Sequence, residues 1–145
     1  MASGVGILPD TAVTSEIAST HNLVLYALPG TNSVLASVAR LLPIRLDAGG
    51  VTIGRRKYGG SGMAARLTSA NPKFPNHGIE VVAGTNLAGL ELAAAANPCH
   101  SGSGYPDFVV FDGSVRWKGW GGVSAAGFFD ERGRVAEDGG DAYLR

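Results

Sequence analysis

Hydrophobic and polar positions alternate most regularly in the last third of the chain. Two such runs, 107–111 and 114–118, flank an Asp-Gly dipeptide, the sequence that type I′ hairpin turns prefer. Because successive strand residues point to opposite faces, this pairing would place Val110, Val115 and Trp117 on one face. The pattern therefore predicts a β-hairpin over 107–118.

Other β-type runs follow the same logic. Residues 44–46 and 51–53 alternate around a turn at 47–50, which predicts a second hairpin. The segment 128–135 predicts a third hairpin, since its central turn begins with Asp and ends with Gly, as type I turns do. Residues 23–28 and 79–82 read as single strands bounded by turn residues.

Two helices are predicted from apolar spacing and capping residues. The first covers 33–42, with Thr31 or Asn32 as N-cap, and Pro43 ends it. The second covers 86–96 after Thr85, and a glycine inside it costs about 1 kcal/mol relative to alanine. Residues 14–19 could form a third short turn of helix. Gly-Thr-Asn precedes or opens both main helices, which turn and N-cap chemistry explains.

These elements predict an α+β, β-dominated fold. Antiparallel hairpins would form a sheet, a small sandwich or a barrel, together with two short helices. The chain of 145 residues suits a single β-rich domain over 1–145. Glycine makes up 22 of its residues and concentrates in 49–62 and 102–140, where backbone freedom serves turns.

Charge and cysteine content exclude several classes of protein. Twelve basic residues balance twelve acidic ones, so no net field attracts nucleic acid or anionic lipid, and self-association is favoured. The longest apolar run, 23–29, is too short to span a bilayer, and residues 1–10 lack the features of a signal peptide. A single cysteine, Cys99, favours a reducing compartment. Contact with membranes or directly with nucleic acid is therefore not expected.

One basic cluster stands out. Arg55, Arg56, Lys57 and Tyr58 precede a glycine-rich stretch within 54–66, which predicts an extended basic arm. Such an arm could cradle phosphate or stack on bases, although the nucleotide-binding loop pattern is absent. With zero net charge, the favoured interpretation is an arm that faces water or a neighbouring subunit.

Two further aromatic residues are candidate partner contacts. Trp120 lies between glycines, and the favoured interpretation is that it caps the core, because aromatic side chains bury large areas. The alternative is that Trp120 anchors a partner or stacks on a sugar. Tyr143 lies in the C-terminal tail and is the other candidate contact.

No pattern indicates catalysis, a cofactor or a metal. Cys99 and His100 resemble a nucleophile and a base, but catalytic pairs are normally distant in sequence. His21 and His77 lack the short spacing of zinc ligands. We therefore predict that the chain is not an enzyme and holds neither cofactor nor metal.

Three hypotheses follow by elimination. The first is an assembly subunit of a virion, such as a capsid decoration or head-to-tail joining protein, which binds copies of itself or a capsid or tail protein. Its location would be the virion, assembled in the host cytoplasm, or otherwise the cytoplasm. The second is a ligand- or carbohydrate-binding β module that uses Tyr58, Tyr105, Trp117 and Trp120. The third is a small cysteine hydrolase.

Overall fold

The computed structural model describes residues 6–96 and 106–135 of the chain. In these ranges the strands are β1 (Leu23–Ala27), β2 (Ile44–Asp47), β3 (Gly50–Ile53), β4 (Arg56–Gly59), β5 (Ala64–Ala70), β6 (Gly78–Gly84), β7 (Phe108–Phe111) and β8 (Val123–Gly127). The helices are α1 (Ser15–Thr20), α2 (Ser33–Val38), α3 (Leu87–Ala95) and α4 (Val115–Lys118). Two short 3-10 turns, Asp10–Ala12 and Gly119–Gly122, complete the described elements.

A five-stranded sheet forms the centre of the molecule. Its strand order is β1-β6-β5-β7-β8, in which β1 runs parallel to β6 and the other neighbours are antiparallel. A second, three-stranded antiparallel sheet has the order β2-β3-β4. The predicted fold class is confirmed: the described chain is α+β and β-dominated, and its two sheets do not close into a barrel.

The two faces of the central sheet carry separate apolar clusters. One face packs against α2 and the small sheet through buried residues that include Leu25, Val38, Val51, Leu67 and Phe108. The other face packs against α3 through a smaller cluster that includes Ala64, Val82, Leu92, Val109 and Phe111. Since both faces are covered, β7 is apolar at every position and buried throughout.

Several local predictions are confirmed. The hairpin of β2 and β3 closes with Asp47 opposite Gly50. In the turn 130–133, the Gly133 amide donates to the Asp130 carbonyl at 2.8 Å, and Phe129 pairs with Val135. Asn32, one of the two predicted N-caps, caps α2 by accepting the Leu35 amide through its side chain. The short helix expected at 14–19 is α1, which begins one residue later, with Thr14 as its N-cap.

The hairpin predicted over 107–118 is wrong. Strand β7 is present, but 115–118 is helical, and the antiparallel partner of β7 is β8, with Phe108 opposite Gly127. A type I′ turn needs positive φ at both central residues, and neither Asp112 nor Gly113 has it. Instead the Asp112 carboxylate accepts the Ser114 amide at 2.8 Å, a local bond that favours a helical turn.

Helix α3 lies unusually close to the central sheet. Asn86, rather than Thr85, is its N-cap, and the buried Thr85 hydroxyl instead accepts the Met63 amide at 3.1 Å. A Cβ at Gly84 would lie 2.0 Å from the Leu90 amide nitrogen, and a Cβ at Gly89 would lie 2.3 Å from the Met63 carbonyl oxygen. These two glycines therefore set the contact distance between helix and sheet.

Strand β5 has no counterpart among the predicted elements. It pairs with β6 along seven residues and with β7 along four, so it is the middle strand of the sheet. Its Arg66 is buried and donates to Glu80 on β6 and to the carbonyls of Ala93 and Ala96 at the end of α3. Arg66 thus joins two strands and a helix inside the fold.

Candidate binding surface

A compact lobe follows β7 at one end of the central sheet. It consists of Ser114–Gly122 and contains α4 and the second 3-10 turn; we call it the tryptophan lobe. The lobe closes on itself, because a Cβ at Gly122 would lie only 2.5 Å from the Val115 amide nitrogen. Gly119, with φ of +54°, ends α4 in a backbone conformation that residues with a side chain rarely adopt. Val115 points inward and packs against the cluster beneath α3.

Both tryptophans of this lobe face solvent. Trp117 is 73% exposed and Trp120 is 66% exposed. The interpretation that Trp120 caps the core is therefore wrong, and Trp117 does not share a buried face with Val110. The closure of the lobe explains the outcome: Val115 and Gly122 occupy its inner side, so the larger side chains turn outward.

The lobe is also basic. Arg116 and Lys118 are exposed beside the tryptophans, and no acidic residue lies between Ser114 and Gly122. Hydrogen bonds from the side chain and backbone of Ser114 lower the pKa of Asp112, and the charge of Lys118 lowers it further. Asp112 is therefore ionised at neutral pH and partly offsets Lys118, whereas Arg116 has no ion pair among the described residues.

The predicted basic arm takes its place in the small sheet. Arg55 and Arg56 are exposed at the turn between β3 and β4. Lys57 pairs with Asp47 on β2 at 2.9 Å, and its hydrogen bond lowers the pKa of Asp47. Tyr58 packs in part against the larger apolar cluster. Lys57 and Tyr58 therefore project to opposite faces of the small sheet.

The tryptophan lobe and the basic cluster pack on opposite faces of the central sheet. Tyr58 belongs to the cluster on one face of the central sheet, and Val115 of the tryptophan lobe belongs to the cluster on the opposite face. The sequence candidates therefore form two separate surfaces. Tyr143, Tyr105, Cys99 and His100 lie outside the described residues.

Nothing in the described ranges assembles a metal centre: no group of three His, Cys, Asp or Glu side chains comes together there. The His21 ring nitrogen Nδ1 lies 2.8 Å from the Thr20 hydroxyl at the end of α1, and His77 lies in the loop before β6. Among the helices of residues 6–96 and 106–135, none has the length and apolar character needed to cross a membrane.

Sequence reasoning missed one further surface, the outer face of β1. Val24 and Tyr26 point away from the larger cluster and are 52% and 57% exposed. Helix α3 covers β6 and β5 on this face but extends little over β1. The strand itself is easily predicted from its sequence, whereas its edge position depends on pairing with the distant β6.

Comparison with known proteins gives one limited similarity. A stretch of 56 residues, 39% of this chain, is 45% identical to part of a protein from Arthroderma benhamiae described as an uncharacterized secreted protein. The match covers 6% of that protein's length. No family model matches the chain, and no solved structure matches it significantly.

Proposed function

We propose that this chain is a non-catalytic carbohydrate-binding module whose contact surface is the tryptophan lobe. The observation that carries the proposal is the exposure of both Trp117 and Trp120 on a segment that closes on itself. Indole rings offer large, flat apolar faces that lose little conformational freedom when a ligand stacks on them. The lobe therefore offers two exposed indole rings on which sugar rings can stack.

The charged residues next to the tryptophans narrow the expected class of ligand. Arg116 and Lys118 add cationic donors beside the rings. Guanidinium groups bind carboxylates with charge-assisted hydrogen bonds, so a uronic acid would gain contacts that a neutral hexose lacks. Acidic oligosaccharides are therefore the expected ligand class.

The similarity to the Arthroderma benhamiae protein supports this proposal in two ways. The matched stretch is a small part of a much longer protein, as expected for a module joined to other domains. That protein is described as secreted, and polysaccharides are abundant ligands outside cells. We propose the same destination for this chain, in place of the predicted virion or cytoplasm.

Replacement of either tryptophan by alanine should abolish most of the binding. Titration of wild-type protein with oligogalacturonate, followed by tryptophan fluorescence or calorimetry, should show saturable binding that weakens with added salt. Trp117→Ala or Trp120→Ala should each weaken it about tenfold or more, equivalent to ~1.4 kcal/mol or more. Cellohexaose, a neutral probe, should bind more weakly than oligogalacturonate.

Phe128→Ala is the matched control, because Phe128 is an exposed aromatic residue at the opposite end of β8 from the lobe. It should leave the affinity unchanged. The proposal fails if neither oligosaccharide binds, or if the two tryptophan variants bind as well as wild type while circular dichroism shows a native fold.

A second candidate function, self-assembly, is favoured by the edge of β1. We propose that two copies pair along this strand and so extend the central sheet. Strand β1 contains neither charge nor proline, and Val24 and Tyr26 are exposed on it. Native edge strands usually carry a charged residue or a proline, which prevents pairing with other chains. The zero net charge of the chain also lowers repulsion between copies.

Native mass measurement tests self-assembly. Wild-type protein at micromolar concentration should form a dimer or larger species. Tyr26→Lys should weaken association at least tenfold, or ~1.4 kcal/mol, because it places a positive charge on the pairing strand of each copy. Ala94→Lys, on an exposed position of α3, adds the same charge elsewhere and should not change the mass. A wild-type monomer at every concentration would rule this candidate out.

The predicted virion partners, the absence of catalysis and the absence of a cofactor stay predictions. No comparison found a capsid or tail protein. The assembly hypothesis rests on the edge strand and on neutral charge, and the hydrolase hypothesis concerns residues outside the described ranges.

A further inference from the structure

Two parallel strands of the central sheet end side by side and lead into helices on opposite faces. Ala27 at the end of β1 lies opposite Ala83 near the end of β6. The chain after β1 enters α2, which packs on the face that also meets the small sheet. The chain after β6 enters α3, which packs on the other face. The two Gly-Thr-Asn segments, 30–32 and 84–86, therefore diverge at the carboxyl ends of these two strands.

This arrangement is analogous to the topological switch point of open α/β sheets, although β1 and β6 are the single parallel pair of the central sheet and α2 leads into the small sheet. In α/β proteins, a crevice remains outside the carboxyl ends of two such strands, and ligands bind there. By this analogy, the loop between β1 and α2 is the place to look for a ligand site.

A cavity of about 250 Å³ opens at this position. We call it the switch-point crevice; the described residues that line it are Leu28, Pro29, Gly30, Asn32, Leu35, Ala36, Ala39, Ile44, Arg45, Leu46, Val81 and Ala83. They come from the loop after β1, from α2 and the residue that follows it, from β2 and from β6. The crevice thus lies between the two sheets, beside the first turn of α2.

Side-chain size explains why space remains there. Along the face that meets α2, the residues of β1 and β6 shrink from Leu25 and Val81 to Ala27 and Ala83 at the carboxyl ends. Helix α2 presents Ala36 to the same space. Small residues on both sides leave a gap that the neighbouring larger side chains do not fill.

The lining is mostly apolar and carries one charge. Arg45 is the only charged residue among those that line the crevice. It is exposed and alternates along β2 with the inward-facing Ile44 and Leu46, so its guanidinium can meet a ligand only at the solvent side of the crevice. Within the described ranges it forms no ion pair. Gly30, with φ of +72°, leaves open space where a side chain would stand, so a ligand can approach the backbone there. An apolar ligand body with one negative group complements these features.

We infer that the switch-point crevice binds a small apolar carboxylate, such as a medium-chain fatty acid. The hydrocarbon part would contact Leu35, Ala36 and Val81, while the carboxylate would accept hydrogen bonds from the Arg45 guanidinium. The cavity is smaller than the roughly 300–1,000 Å³ of sites for drug-sized molecules, so the ligand is short. This inference is independent of the tryptophan lobe, which lies against the opposite face of the sheet.

Octanoate and octanol are the probes that test the inference. Calorimetry or NMR titration of the full chain should show saturable octanoate binding at submillimolar to millimolar concentration. Octanol lacks the negative charge and should bind about tenfold more weakly, since a hydrogen bond to a charged partner is worth roughly that factor. Arg45→Gln should remove the preference for octanoate over octanol.

One further variant and two controls complete the experiment. Ala36→Leu should reduce binding of both probes at least tenfold, because the larger side chain fills the space, and Ala36 is exposed enough to tolerate the change. Arg40→Gln, a charge change outside the lining, and Trp117→Ala should each leave octanoate binding unchanged. Equal affinity for the two probes, unchanged octanoate affinity in Arg45→Gln, or no octanoate binding at millimolar concentration would overturn the inference.

Discussion

Replacing Arg66 with methionine is expected to destabilise the protein by about 3–5 kcal/mol, because it leaves Glu80 without its partner in a mostly buried site. The Arg66 side chain is only 10% exposed, and its Nε donates to the Glu80 carboxylate at 3.0 Å. Its Nη1 donates to the carbonyls of Ala93 and Ala96 at the carboxyl end of α3, where carbonyl groups lack partners within the helix. Guanidinium chloride unfolding measures the loss.

Two comparisons separate this effect from a general loss of charge. The double variant Arg66→Met with Glu80→Leu should recover much of the stability, since no charge is then left unpaired. Lys57→Met removes the exposed pair with Asp47 and should leave the unfolding midpoint nearly unchanged. Equal midpoints for Arg66→Met and Lys57→Met would contradict the buried role of Arg66.

Gly89→Ala is expected to destabilise the protein by roughly 2 kcal/mol, although alanine is the better helix former. Helix propensity alone predicts a gain of about 1 kcal/mol. The added Cβ would lie 2.3 Å from the Met63 carbonyl oxygen and 3.1 Å from the Gly62 carbonyl carbon. Both contacts are with backbone, so α3 would have to move away from the two residues that precede β5. Thermal or denaturant unfolding gives the sign directly.

Ala88→Gly is the matched control for this prediction. Ala88 is the neighbouring residue on the same helix and is exposed, so only propensity changes there. It should cost about 1 kcal/mol. A gain of stability in Gly89→Ala would show that α3 does not lie at this distance from the sheet.

Much of the local structure was predictable from short-range chemistry. The hairpin of β2 and β3, the turn at 130–133 and the cap of α2 by Asn32 all depend on residues within a few positions of one another. Strands β1 and β6 were predictable because their apolar runs are bounded by turn residues. In each case the deciding hydrogen bonds are made within the segment or with its immediate neighbours.

Elements whose state depends on distant partners were harder to predict. Strand β5 reads as AARLTSA, with three alanines and little β-branched character, and it becomes a strand because β6 and β7 pair with both its edges. The prediction of a hairpin at 107–118 was wrong because the partner of β7 also lies farther along the chain. Strand β8 pairs with β7, and the segment between them coils into the tryptophan lobe.

The candidate surfaces also divide into those that the sequence indicates and those that only the tertiary structure reveals. The sequence pointed to Trp120 and to the basic residues of β4, since aromatic and charged residues among glycines are visible without a structure. It favoured a buried Trp120, whereas the structure exposes this residue. The edge position of Tyr26 and the switch-point crevice required knowledge of which strands are neighbours.

By itself the sequence determined the β-dominated α+β class, the turns at 47–50 and 130–133, the Asn32 cap and the neutral charge of the chain, because these depend on composition and on hydrogen bonds between nearby residues. Only the tertiary structure decided that Gly89 is a packing residue, that Arg66 is internal and that Trp117 and Trp120 face solvent. The physical reason is that burial and close backbone approach arise when segments far apart in the chain meet.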